Sequence, residues 1–108
     1  MAQSVRVVGS LNAAEATGGA VELAMQGFVY VAFQLQGTFT ATVTFYGSCD
    51  GLNWTAMSVL PLGTATAVTT STTEGIWVST RPTPLSHVKA AITSYSSGPV
   101  NITITAAS

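Results

Sequence analysis

The chain has 108 residues, 47% of them hydrophobic and only 6% charged, with a net charge of −1. An average soluble domain carries about 25% charged residues. With Arg6, Arg81 and Lys89 as the only basic residues, no patch exists to hold a phosphate backbone, and nucleic acid is excluded as a partner. A membrane is excluded as well, because the longest apolar run, residues 28–33, is far short of the roughly 20 residues of a spanning helix. The chain is also too short for eight barrel-spanning strands of about 9–11 residues plus turns.

Residues 1–10 contain no apolar stretch of the kind that starts a secretory signal. Residues 3–8 alternate as a short strand with Val5 and Val7 on one face, so residues 1–10 are expected to be an edge strand or an N-terminal contact arm. Gly9 and Ser10 end it, and residues 11–19 are expected to form a surface loop with at most one helical turn near Asn12. Val21, Leu23 and Met25 alternate with Glu22 and Ala24, and Gln26-Gly27 follows as a turn. In residues 28–36, Val29, Val31, Phe33 and Leu35 share one face while Phe28, Tyr30, Ala32 and Gln34 share the other. Both faces are largely apolar. This strand is therefore expected at the centre of a sheet, covered by the core on one side and by a partner on the other.

In residues 37–54, Phe39, Ala41, Val43 and Phe45 alternate with Thr40, Thr42 and Thr44, the period of a half-buried strand. The strand runs into Ser48-Cys49-Asp50-Gly51, where Asp can bond its own backbone and Gly supplies a positive φ. Trp54 opens a second run to residue 60, and the two are expected to pair as one hairpin. Residues 64–73, almost all Thr and Ala, suit an edge strand or long ordered loop. Next comes Ile76-Trp77-Val78, where two aliphatic residues inward would place Trp77 outward. Arg81-Pro82-Thr83-Pro84 is expected to cross between sheets at the rim. Residues 87–94 put Val88, Ala90 and Ile92 on one face. After the turn at residues 95–99, Val100, Ile102 and Ile104 close the chain. The fold class is all-β: a single antiparallel β-sandwich over residues 1–108, with a jelly roll as one form of it, built from about eight short strands.

Chemistry is hard to place on this frame. His87 is the only histidine, with no visible nucleophile or orienting carboxylate. Cys49 is the only cysteine, so no internal disulfide forms, as suits assembly in a reducing cytosol. Neither a calcium loop nor a zinc-ligand spacing is present. The expectation is a non-enzymatic protein with no catalytic residues, no metal and no cofactor. Asp50, Asn53 and Trp54 raise the question of a sugar site, but Asp-Gly turn chemistry already accounts for Asp50. Ser48, Asp50, Gly51, Asn53 and Trp54 are therefore read as a structural turn. Candidate interface residues are Gln3, Ser4, Val5, Arg6, Phe28, Tyr30, Trp77 and Arg81. A surface with so little charge has little to keep copies apart, and residues 3–8 or 64–73 are the edges expected to be covered by a neighbouring chain.

The pattern S-x-D-G-x-N-W at residues 48–54, after the alternating strand at residues 37–45, resembles small structural proteins of tailed bacteriophages. So does Tyr95-Ser96-Ser97-Gly98 followed by an alternating terminal strand. The resemblance covers about a third of the chain. The turn is also similar to the Asp-box hairpin of sialidases, except that there the glycine stands one residue further from the aspartate. The phage resemblance implies a virion component, foremost a capsid decoration (cement) protein. Such a protein would bind the major capsid protein and copies of itself as a dimer or trimer, on the shell surface of a particle made in the host cytoplasm. A tail or fibre domain binding a host glycan, and a free-standing small lectin, are the alternatives.

Overall fold

The computed structural model describes residues 6–14, 16–64, 66–79 and 84–107. Among these residues ten strands lie in two antiparallel sheets: β1 (Arg6–Ala14), β2 (Ala20–Ala24), β3 (Tyr30–Gln36), β4 (Thr40–Ser48), β5 (Thr55–Ala56), β6 (Val59–Pro61), β7 (Thr70–Ser71), β8 (Gly75–Ser79), β9 (His87–Ser97) and β10 (Val100–Ala107). The first sheet has the order β1-β10-β3-β8-β6, the second β2-β9-β4-β5, with β7 also paired to β4. The architecture is the all-β sandwich expected from the alternation of apolar and hydroxyl residues. β3, apolar on both faces, is the middle strand of its sheet.

The core lies between the inner faces. β3 contributes Val31, Phe33 and Leu35, and β10 contributes Val100, Ile102, Ile104 and Ala106; opposite them stand Ala41, Val43 and Phe45 of β4 and Val88, Ala90 and Ile92 of β9. All are buried, so the register read from the sequence holds on these four strands; Phe39 is only partly buried against them. No buried side-chain N or O among the described residues lacks a hydrogen-bond partner. On the outer side of β4, Thr44 is also buried, its Oγ1 2.9 Å from that of Thr93. Two register shifts in the β4–β9 pairing lie just before it.

Three expectations are corrected. Residues 9–14 are strand, not loop. β1 continues past Gly9 and Ser10 because its pairing with β10 runs from Arg6↔Ala107 to Ala14↔Val100, with an irregularity between Leu11 and Ala14. Residues 54–60 do not form one strand. β5 pairs with β4 only at Tyr46↔Ala56 and Gly47↔Thr55, after which the chain crosses and Val59 joins β8 of the other sheet. The edge strand or ordered loop expected over residues 64–73 is found: among the described residues there, Thr70–Ser71 pair with β4 and Val68 bridges Val59, the rest being loop.

Trp77 is the third correction. It is 5% exposed and points into the core, with Ile76 on the opposite face at 36%. One indole buries more apolar surface than either aliphatic neighbour. It stands opposite Phe33 in the β3–β8 register, with its ring centroid 5.4 Å from that of Phe45. Gly75, two residues earlier on the same side, makes room: a Cβ there would lie 3.1 Å from the indole.

Candidate docking surface

The two outer sheet faces differ in character. Alternation and register place Tyr30, Ala32, Gln34 and Gln36 of β3 on the outer face of the first sheet. They stand beside Ala107, Thr105, Thr103 and Asn101 of β10. Val78 and Ile76 of β8 flank Ala32 and Gln34, and Leu60 of β6 flanks Val78. None of these eleven side chains is charged and six are apolar. The water-facing side of an antiparallel sheet ordinarily reads polar. Ala32, Val78 and Leu60 make one continuous apolar row. Above it Tyr30, 46% exposed, and Ala107 border an apolar depression of about 260 Å³ that also touches Thr105 and Ser79.

The outer face of the second sheet is rich in threonine and carries both an acid and a base. Glu22 of β2 stands opposite Lys89 of β9, which stands opposite Tyr46 of β4. The Lys89 ammonium lies 4.4 Å from the Trp54 ring centroid and 5.2 Å from that of Tyr46. Cation–π attraction of this kind holds the lysine flat against the aromatics. Trp54 also meets the His87 ring edge-on at 6.5 Å. Lys89 thus occupies a face of Trp54 on which a sugar ring would otherwise stack.

The turn joining β4 to β5 is built from its own side chains. Asp50 Oδ1 accepts from the backbone N–H groups of Leu52 and Asn53, both at 2.8 Å, and from the Ser48 hydroxyl at 2.9 Å. Oδ2 accepts from the Asn53 side-chain amide at 2.7 Å. Ser48 Oγ in turn accepts from the N–H groups of Asp50 and Gly51. The Asn53 and Leu52 backbone donors, then the Asn53 and Ser48 side chains, hold the Asp50 carboxyl well below the usual carboxylate range. Both its oxygens are engaged within the turn. The shallow depression of about 290 Å³ beside it is lined by Gly47, Thr55 and Leu85, by the mutually bonded Ser48, Asp50 and Asn53, and by the exposed Cys49. Gly51 has φ 77°, and a Cβ there would lie 3.0 Å from the His87 ring. Gly51→Val should therefore lower stability by more than about 1 kcal/mol in urea unfolding.

The candidate interface residues fare unequally. Tyr30 lies on the uncharged face, and the backbone of Arg6 stands in the same row, next to Ala107. Phe28 is half-buried and packs against the core, while Trp77 is inside it. Gln3, Ser4, Val5 and Arg81 lie outside the described residues. Ile76, Val78 and Leu60, members of the exposed apolar face, were not recognisable as such; reading Trp77 inward would have turned Ile76 and Val78 outward. Among the described residues no three His, Cys, Asp or Glu side chains converge as metal ligands.

The fold defines an antiparallel β-sandwich module, with an uncharged patch on the outer side of β10, β3, β8 and β6. The SPBc2 prophage-derived protein YomS has the same fold: TM-score 0.76 at 18% identity, over 100% of this chain and 99% of that one. The PBSX exported protein XepA shares it too, with TM-score 0.77 at 18% identity over 95% of this chain but only 38% of that longer one. No protein-family model matches the chain, and no curated protein matches it in sequence.

Proposed function

We propose that this chain is a non-enzymatic structural protein of a bacteriophage particle, most specifically a decoration protein that cements the capsid by binding the major capsid protein. The observation that carries the reading is the outer face formed by β10, β3, β8 and β6, whose eleven side chains include no charge and six apolar residues. A face of that kind stands in water at a cost and gains by being covered with protein. The likeness in fold to two phage-encoded proteins, the phage-like S-x-D-G-x-N-W turn and the low charge support the same reading. A ligand that binds only the assembled shell stabilises it by mass action, and repeated contacts around a symmetric particle add avidity.

The test compares particles assembled with and without this protein under heating and osmotic shock. Particles lacking it should lose their contents first, and it should copurify with complete particles in fixed stoichiometry. Equal survival of the two would remove the cementing role.

A further inference from the structure

We propose that the Asp50–Gly51 peptide link is a site of isoaspartate formation, and that the β4–β5 turn holds this modification off for as long as Ser48 and Asn53 keep their bonds to it. The inference is independent of the capsid reading above.

The reaction needs no enzyme. The Gly51 backbone nitrogen attacks the Asp50 side-chain carbon Cγ and a C–N bond forms. One carboxyl oxygen leaves as water, taking the amide proton and the carboxyl proton, and a cyclic succinimide remains. Water then adds at the Asp50 main-chain carbonyl carbon and breaks its bond to the Gly51 nitrogen. The water lost is regained, so the mass is unchanged, but the main chain now runs through Cβ and Cγ and is one carbon longer. Glycine in second place favours the attack, because no Cβ shields its nitrogen.

Two requirements of that attack fail in the closed turn. The nitrogen must give up its proton, whereas the Gly51 N–H donates to Ser48 Oγ at 2.8 Å. The carboxyl must be protonated and free to swing toward Gly51. Instead Oδ1 accepts from the Leu52 and Asn53 N–H groups and the Ser48 hydroxyl, and Oδ2 from the Asn53 amide at 2.7 Å. Bonds of this kind favour the ionised form and fix its orientation. Burial gives no protection, since Asp50 is exposed. Ser48 is the group that touches both reactants, and at 3% exposure it is itself pinned in place.

The modification would not stay local. β5 is held to β4 by the pairs Tyr46↔Ala56 and Gly47↔Thr55 alone. An added main-chain carbon between them shifts Trp54 away from Lys89, 4.4 Å from its ring centroid. The free carboxylate is then the former main-chain carbonyl, attached directly to Cα and out of reach of its old donors.

The experiment incubates the purified chain at neutral pH, folded or in concentrated guanidinium chloride. Isoaspartate is measured by enzymatic methylation of isoaspartyl groups and located by peptide mapping. The folded parent should form it at Asp50 at least about tenfold more slowly than the unfolded chain, a factor that one hydrogen bond to a charged group suffices to give. Ser48→Ala, folded by circular dichroism, should recover most of that factor. Asn53→Ala alters an exposed side chain, and should speed the reaction by a smaller factor; it decides the matter alone if Ser48→Ala does not fold. Thr55→Ala, next to the turn at an exposed position, should match the parent. Equal rates in the folded and unfolded parent would overturn the proposal. So would folded Ser48 and Asn53 variants no faster than the parent, or a Thr55 variant as fast as they are.

Discussion

Phe45→Ala should lower the stability of the fold by about 3–5 kcal/mol, a large share of the roughly 5–15 kcal/mol that holds a domain together. Phe45 is fully buried on β4 and touches the opposite sheet through two rings, Phe33 at 4.8 Å and Trp77 at 5.4 Å between centroids. The two remaining rings cannot refill the space of the third without leaving their rotamers. The loss is therefore expected at the upper end of the range. Urea unfolding should show a lower midpoint with an unchanged slope. A loss under about 1.5 kcal/mol would mean that the sheets close over the gap.

Gly98→Ala should also be severe, although it adds a single carbon. Gly98 has φ 86°, where an L side chain is strained. Its added Cβ would run into the carbonyl oxygen of Thr38 and lie 2.8 Å from Phe39 Cα, both rigid backbone in the β3–β4 connection. The reciprocal contact exists as well: a Cβ on Gly37 would meet the Pro99 carbonyl oxygen. Two turns are thus seated in each other at one end of the sandwich, and the Tyr95 hydroxyl donates to the Gly98 carbonyl at 2.8 Å. Strain at positive φ and the overpacking together should reach about 2–4 kcal/mol. Gly63→Ala is the control: its φ is 89°, yet nothing lies within 4 Å of the added carbon. It should cost only the backbone term, and equal losses at the two sites would show that the packing of the turns is unimportant.

The inner faces of β3, β4, β9 and β10 were legible because apolar residues recur at every second position along a run long enough to leave one register. Asp50-Gly51 was legible because its chemistry is local. β8 was not: Ile76-Trp77-Val78 is apolar three times running, and only the partner across the sandwich decides which side is inner. β1 was hidden by Gly9 and Ser10, which read as an end but are carried by the pairing with β10. The Lys89–Trp54–Tyr46 stack depends on the register between β9 and β4 and on a turn between β4 and β5. No periodicity within one segment contains it. The uncharged patch outside β10, β3, β8 and β6 was glimpsed through β3 alone, as an apolar side without a cover, and its remaining rows come from strands far away in the chain.

The order of the strands also has a kinetic meaning. Nearly every connection carries the chain from one sheet to the other, and among the described strands only β4 and β5 are both consecutive and paired, over two residues. No sizeable hairpin can form early and wait for the rest. The β1–β10 ladder joins opposite ends of the chain, so long loops must close before most pairings reward them. Refolding should then fall in the slow range of β-sandwiches, milliseconds to seconds. Until it is complete, unpaired apolar strands with hardly a charge to separate them are open to one another. A chain newly released from the ribosome is safest when dilute, and its vulnerability in concentrated solution lies in the time it takes to close.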